Sequence, residues 1–299
     1  MDRLQSMAAF VAVVDEGGFA RAARRLGSSP PAITRAIAEL EQRLRLKLLT
    51  RTTRVVRVTE AGTRFADDCR RILAEVDEAE EAAAGVHAAP RGLLTITSPV
   101  LFGRIYVTPI ATDYLLQHLE AQLACWFLDR VVNLVEEGVD VAVRIGELPD
   151  SSLQAIRVGQ VRRVVCAAPA YLEAHGTPRR PADLAAHTLI AASGVTPRAD
   201  WTFSVDGTLQ PIAVQPRMTT TTNDAALAAA VRGFGITRLL SYQVAAELAA
   251  GSLRRVLPEF EPPPLPVQVV HRDGRRASAK VRAFVDLAVE RLRATESLR

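Results

Sequence analysis

Between Gly17 and Gly62 the sequence leaves the chain little freedom: GGFARAARRLGSSPPAITRAIAELEQRLRLKLLTRTTRVVRVTEAG writes two short helices, a tight turn and a basic ribbon into one unbroken run. Phe19, Ala22, Ala23 and Leu26 recur at helical spacing, and Gly27 supplies the permissive backbone that ends the segment. Ser28 and Ser29 are N-cap residues, and Pro30 or Pro31 suits a first helical turn, where a missing N–H costs nothing. Ile33, Ile37, Leu40 and Leu44 then form the buried stripe of a second helix. Two helices joined this closely make a helix-turn-helix. Ala22 and Ala23 are small enough for the second helix to cross closely over the first. That leaves Pro31, Ala32, Thr34 and Arg35 on its outward face, with Ser29 and Pro30 at its start. Arg35 can donate a bidentate pair to guanine, and Thr34 can bond a base or touch a thymine methyl. From Leu48 to Thr59 polar and β-branched residues alternate, as in a short β-ribbon wing. Arg51, Thr52, Thr53 and Arg54, and Arg57 beyond them, are placed for phosphates.

Two adjacent amphipathic helices also occur in ordinary bundles, and charge separates the two readings. Residues 1–60 hold 11 Lys and Arg against 6 acids, a net of +5, while the other 239 residues hold 26 basic against 27 acidic. The +4 excess of the whole chain therefore lies in its first fifth. A structural bundle has no reason to segregate charge in this way, whereas a phosphate-binding module does. The expected partner is double-stranded DNA.

The chain of 299 residues exceeds one average domain, and its 48% hydrophobic content can bury a substantial core, so two or three units are expected. The first apolar stripe (Leu4, Met7, Ala8, Val11, Val14) has helical period and follows Asp2 and Arg3, unlike an export signal. No stretch is long and apolar enough for a bilayer, so no membrane partner and a cytoplasmic location are expected. Cys69, Cys125 and Cys166 stand alone in sequence and read as buried free thiols; a redox disulfide between Cys125 and Cys166 is the alternative. The five histidines show no metal-ligand spacing, and no metal or cofactor is expected. An enzyme fused to a regulatory head finds no support. The chain has no GxSxG elbow, GxxxxGK loop or HExxH pair, and GFG at 233–235 lacks the spaced third glycine of a dinucleotide site.

From Glu60 to Val86, Phe65, Cys69, Ile72, Val76, Ala79, Ala83 and Val86 recur at alternating spacings of four and three, a heptad repeat on an otherwise acidic helix. The seam can pack on its own domain, but its narrowness favours a second chain and hence a homodimer. Gly85 to Gly92, with Pro90, ends the helix in a linker. Strands and helices alternate thereafter, which predicts parallel sheets covered by helices. Strands are expected at 93–99, 125–128, 139–146, 163–168, 189–192, 202–205, 212–216 and 267–271. Helices are expected near 102–118 and over 130–136, 223–232, 242–249 and 277–293. Such a segment divides into two small α/β lobes, and ligands bind where strand C-termini meet helix N-termini. The cleft candidates are Ser98, Pro99 and Val100; Leu128; Arg144, Ile145 and Gly146; Gly194 to Thr196; and Thr221, Thr222 and Asn223. Arg144 ends an apolar strand, where a cation needs an internal ion pair or a bound anion. Ser98 and Asn223 each precede a helix, as N-caps, ligand contacts or both.

In this order the elements resemble those of a LysR-type transcriptional regulator over the whole chain. The likeness is carried by MDRLQSMAAFVAVVDEGGF, ARAARRLGSSPPAITRAIAELEQRL and LLTRTTRVVRVTEAG, and later by PRGLLTITSP, DRVVNLVEEGVDVAVRIG and GFGITRLLSYQVAAEL. It implies an N-terminal all-α winged helix-turn-helix (1–59, the motif itself about 19–38) and a linker helix for dimerisation (60–89). It also implies a C-terminal two-lobed α/β domain similar to periplasmic binding proteins (90–299, with lobe I about 92–162 and 267–299 and lobe II about 163–266). The implied function is DNA-binding repression or activation governed by a small effector, commonly in a dimer of dimers. The resemblance puts the recognition helix on Pro30 to Arg43, the wing on Arg51 to Arg57, and the inducer cleft near Ser98, Leu128, Arg144, Gly194 and Asn223. Two departures stand out. Leu128 occupies a place where relatives often carry a small hydroxyl residue, which argues against a small hydrophilic acid as effector. QHLEAQLAC at 117–125 lacks the usual tyrosine-proline pair.

Overall fold

The computed structural model describes residues 2–51, 56–84, 89–148, 153–192, 199–272 and 277–299. Its contacts separate two units, Met1–Ala88 and Ala89–Arg299.

In the first unit, α1 (Arg3–Glu16) starts at Asp2, whose carboxylate accepts the Gln5 N–H at 2.8 Å while the Gln5 side chain accepts the Asp2 N–H at 3.3 Å. After α2 (Phe19–Arg25), Gly27 takes a left-handed φ of +58°, and α3 (Pro30–Leu44) begins where the Ser29 hydroxyl accepts the Ala32 N–H at 3.4 Å. Ile33, Ala36, Ile37 and Leu40 pack against Phe10, Val13, Ala22 and Ala23. Because α2 stops at Arg25, Leu26 falls outside the expected stripe and is 41% exposed. β1 (Leu49–Arg51) and β2 (Val56–Val58) pair antiparallel, Leu49 opposite Val58, to form the wing. Next comes α4 (Glu60–Ala84), whose Phe65, Cys69, Ile72 and Leu73 pack into this same core; the Phe65 and Phe10 rings lie 5.9 Å apart. Arg70 ties α4 to α1 through Asp15 at 2.6 Å. The first half of the heptad seam thus packs against its own unit, with Cys69 buried and Phe65 and Ile72 half-buried. Of the two readings of the seam, packing on its own unit describes this half.

The second unit has two lobes. β3 (Gly92–Ser98) leads into a helical turn, α5 (Val100–Phe102), which widens to a π-turn over Gly103–Val107 and continues as α6 (Thr108–Gln117). β4 (Ala121–Phe127), β5 (Val141–Ile145) and β6 (Gln154–Val161) complete this pass. The second lobe holds β7 (Arg163–Ala167), α7 (Pro169–His175), β8 (Leu189–Ala192) and the hairpin β9 (Ala199–Val205) and β10 (Thr208–Val214). It continues with β11 (Met218–Thr220), α8 (Asn223–Val231), β12 (Ile236–Leu240), α9 (Ser241–Ala249) and β13 (Arg254–Val256). β14 (Leu265–His271) and α10 (Ala279–Ala294) return to the first lobe. The sheets run in the order β4-β3-β5-β14-β6 and β11-β8-β12-β7-β13.

Neither sheet is all parallel. β3 pairs parallel with β4 and β5, and β8 with β11 and β12, as consecutive strand-helix units require. The strands that carry the chain between lobes enter from the opposite end: β14 is antiparallel to β5 and β6, and β7 to β12 and β13. β6, β11, β12 and β13 had no counterpart in the sequence reading. The expected helix at 130–136 is instead a turn. The Asn133 side-chain oxygen accepts the N–H groups of Val135 and Glu136 at 3.1 and 3.4 Å, and Arg130 clasps Glu137 at 2.5 and 2.7 Å.

All three cysteines are free. Cys69 and Cys166 are buried, and burial pushes their thiols up to about 11 and about 12. Cys125 is exposed, against expectation, because β4 is an edge strand. It lies in a different sheet from Cys166, so the structure contains no bridge between them. Among the described residues no helix is long and apolar enough to cross a membrane, and no three His, Cys, Asp or Glu side chains cluster as a metal site.

Candidate functional site

Two surfaces gather the candidate residues, one in each unit. On α3, Ser29, Pro30, Pro31 and Arg35 are exposed and Ala32 and Thr34 half-buried, while Ile33, Ala36 and Ile37 hold the opposite face in the core. The Ser29 hydroxyl is engaged as the helix cap. Arg35 has no ion-pair partner among the described residues, unlike Arg25, which meets Asp15 at 3.3 Å and Glu16 at 3.5 Å. In the wing, Arg51 lies on β1 and Arg57 is exposed on β2; Thr52, Thr53 and Arg54 lie outside the described residues.

Sequence reasoning missed the residue that seats the wing. Glu41, on the inner face of α3, accepts the N–H groups of Leu48 and Leu49 at 2.9 and 3.1 Å and the Lys47 ammonium at 2.9 Å. Burial by itself would raise this carboxyl's pKa, but the Lys47 and backbone donors outweigh it and hold the group below its ordinary value. A glutamate within a helix looks like a solvated charge, so no local signal marks it.

In the second unit a cavity of about 490 Å³ opens between the lobes. Its first-lobe wall includes Pro99, Leu128, Arg144 and Ile145, at the ends of β3, β4 and β5. The second-lobe wall includes Arg163, Ala192, Thr221, Asn223, Leu240 and Tyr242. Val100 and Thr222 line a smaller neighbouring cavity of about 60 Å³, with Asn223 and Asp129 shared between the two. Ser98 does not contribute a side chain. It is fully buried, its hydroxyl lies 3.3 Å from the Pro99 carbonyl, and its own carbonyl accepts the Leu128 N–H at 2.9 Å, so the expectation that it faces the cleft is corrected. Gly194, Val195 and Thr196 lie outside the described residues.

Arg144 resolves its two alternatives in part. Its guanidinium donates to the Val132 carbonyl at 2.6 Å and has no ion-pair partner among the described residues. Desolvation depresses its pKa, partly offset by the nearby Glu137 charge. Asp129, also missed, accepts the Val100 N–H at 3.0 Å and joins the ends of β3 and β4 across 29 positions of sequence.

Residues 4–63 match the bacterial regulatory helix-turn-helix protein family of LysR type, and residues 87–293 match the LysR substrate binding domain. The chain belongs to the LysR family of transcriptional regulators. It is 36% identical over 289 residues to an HTH-type transcriptional regulator of Xanthomonas campestris pv. campestris, covering 95% of this chain and 83% of that one. It is 32% identical over 292 residues to an HTH-type transcriptional repressor of Pseudomonas aeruginosa, covering 97% and 92%. Among solved structures, CrgA, a LysR-type transcriptional regulator from Neisseria meningitidis, superposes with a TM-score of 0.62 at 30% identity over 98% of this chain and 99% of that one. This LysR-type chain is therefore a regulator rather than an enzyme, with a DNA-binding helix-turn-helix and an effector-binding domain. Arg163, Leu240 and Tyr242, contributed by the second lobe, are the parts of its cleft that strand-end reasoning did not reach.

Proposed function

We propose that this LysR-type regulator works as a homodimer joined through the distal part of α4 and assembled into tetramers, each pair of heads reading two half-sites of an interrupted palindrome. The working division is a reading head over 1–59, a pairing helix over 60–89 and a sensing domain over 90–299. Thr34 and Arg35 meet base edges, with Pro31 and Ala32 permitting close approach, while Ser29 and Pro30 set the helix start against the backbone. The wing residues Arg51, Thr52, Thr53 and Arg54 hold phosphates. A small effector enters between Pro99, Leu128, Arg144, Ile145 and Asn223, with Val100 and Thr222 at the margin and Gly194 as a further contact. It changes the separation of the two reading heads.

One observation supports this most: on α3 Arg35 is exposed and Thr34 half-buried, while Ile33, Ala36, Ile37 and Leu40 are buried in the core. The test is retardation and footprinting of the DNA upstream of the protein's own gene. Two protected half-sites on one helical face, about 34 Å or a multiple apart, are expected. A purified dimer that leaves this DNA unretarded at low salt would refute the reading.

A further inference from the structure

The cleft holds more unanswered positive charge than a neutral ligand explains. Of the charged groups that line it, Arg130 is taken by Glu137 at 2.5 and 2.7 Å, Asp129 by the Val100 N–H at 3.0 Å, and Glu147 stands exposed in solvent. Arg144 and Arg163 differ from these. Both are half-buried, and neither has an ion-pair partner among the described residues. Arg144 uses one donor on the Val132 carbonyl, and a guanidinium carries five. No hydrogen bond satisfies the Arg163 side chain within the described structure. Behind it stands a second cation, Arg238, which donates to the Thr202 and Asp200 carbonyls at 3.2 and 3.3 Å and lies over the Trp201 ring at 5.3 Å. Burial and the adjacent Arg163 push Arg238 down to about 10, so this corner of the lobe is positive throughout.

A half-buried cation without an ion-pair partner costs stability unless something supplies the anion, and Glu137, which is near Arg144 but paired with Arg130, answers that charge only in part. The rest of the wall is of another kind: Leu128, Val131, Leu148, Leu240, Leu265 and Tyr242 present carbon over most of the cavity. At about 490 Å³ the space exceeds what one anionic group needs.

We infer that the effector is a carboxylate on an apolar body, its charged end held by Arg144 and Arg163 and its body laid against Leu128 and Tyr242. This rests on the sensing role proposed for the cleft and specifies its ligand chemistry. Arg144 ends β5 in the first lobe, and Arg163 starts β7 in the second, one residue after the chain crosses between them. An anion shared by both binds best when the lobes approach, so its binding energy is coupled to lobe closure. Leu128 fits the same ligand, since a small hydroxyl residue there would favour a more hydrophilic one.

The test uses the full-length protein with benzoate, phenylacetate and hexanoate, and with benzamide and benzyl alcohol as neutral counterparts, read by calorimetric titration and thermal shift. At least one carboxylate binds and raises the melting temperature, and the neutral compounds bind tenfold or more weakly. Arg144→Gln and Arg163→Gln each lower carboxylate affinity about tenfold or more, the size expected for a charge-assisted hydrogen bond. Without ligand, Arg163→Met melts above the wild type, because it removes a desolvated, unpartnered charge; an arginine serving only the fold would give the opposite shift. Carboxylates that all fail to bind, neutral compounds that bind equally, or glutamine variants that bind like the wild type overturn the inference. Retardation of the upstream DNA is measured on the same preparations. Intact DNA binding with any of those three results sinks the ligand chemistry alone, whereas lost DNA binding sinks the regulatory reading itself.

Discussion

Arg35 and Arg57 carry the same charge on the same unit, and what separates them is the element beneath. Arg35 projects from the first turns of α3, beside Thr34, where a rigid helix can aim a guanidinium at one base pair. Arg57 is exposed on a three-residue strand of the wing, a position suited to any phosphate that passes. Arg35→Ala should therefore cost about 1–3 kcal/mol on the preferred site and flatten base preference at one position per half-site. Arg57→Ala should weaken all sequences alike and reduce the slope of log affinity against log salt by about one. Binding to a randomised half-site library at several salt concentrations separates the two. If both variants lost specificity equally, the division between base reading and phosphate holding would be wrong.

At the scale of elements, the junction of α3, wing and α4 shows why some of this fold was legible and some was not. α3 could be placed from Ser29, Pro30 and the apolar stripe alone, because an N-cap, a first-turn proline and a helical period are all local signals. The seating of the wing on Glu41 is not local: it joins a helix side chain to backbone amides seven and eight residues on. Likewise β6 and β14 pair only because the chain returns from the other lobe, and the 130–136 turn carries apolar residues at spacings that also fit a helix. Glu41→Gln should cost the first unit about 1–3 kcal/mol, the scale of a buried charged hydrogen bond, with the loss falling on the wing first. The pH dependence follows from the depressed folded-state pKa. The carboxylate's contribution is complete above the ordinary carboxyl value of about 4.3 and is lost as pH falls through the lower value of the folded state. Melting curves of variant and wild type should lie apart above the ordinary carboxyl value and converge as pH falls through the lower folded-state one. At the same junction Gly62→Ala would drive a methyl into the Leu48 carbonyl oxygen and is expected to destabilise by about 1–3 kcal/mol, checked in the same melts.

For the molecule as a whole, the division between reading and sensing is drawn by where apolar surface is buried. Among the described residues, the core of the first unit is built from residues between Met7 and Leu73, and those of the second from residues between Leu94 and Leu298. The N-terminal charge pattern and the change to strand-helix alternation made this division readable from sequence. The cleft was only partly readable, because Pro99, Leu128, Arg144, Ile145, Thr221 and Asn223 follow from the rule of strand ends, while Arg163 and Tyr242 come from second-lobe elements whose placement depends on the full fold. Separate cores imply separable stability. Residues 89–299 produced alone should melt cooperatively, within a few degrees of the transition assigned to that unit in the full chain, since its cores are built from its own described residues. The same fragment should leave upstream DNA unretarded at salt concentrations where the full chain binds it, because α3 and the wing are gone. Calorimetry of both proteins side by side reads the first outcome and gel retardation the second. A fragment that is molten, or that melts far below its counterpart, would mean that the first unit supplies stability the cores do not account for.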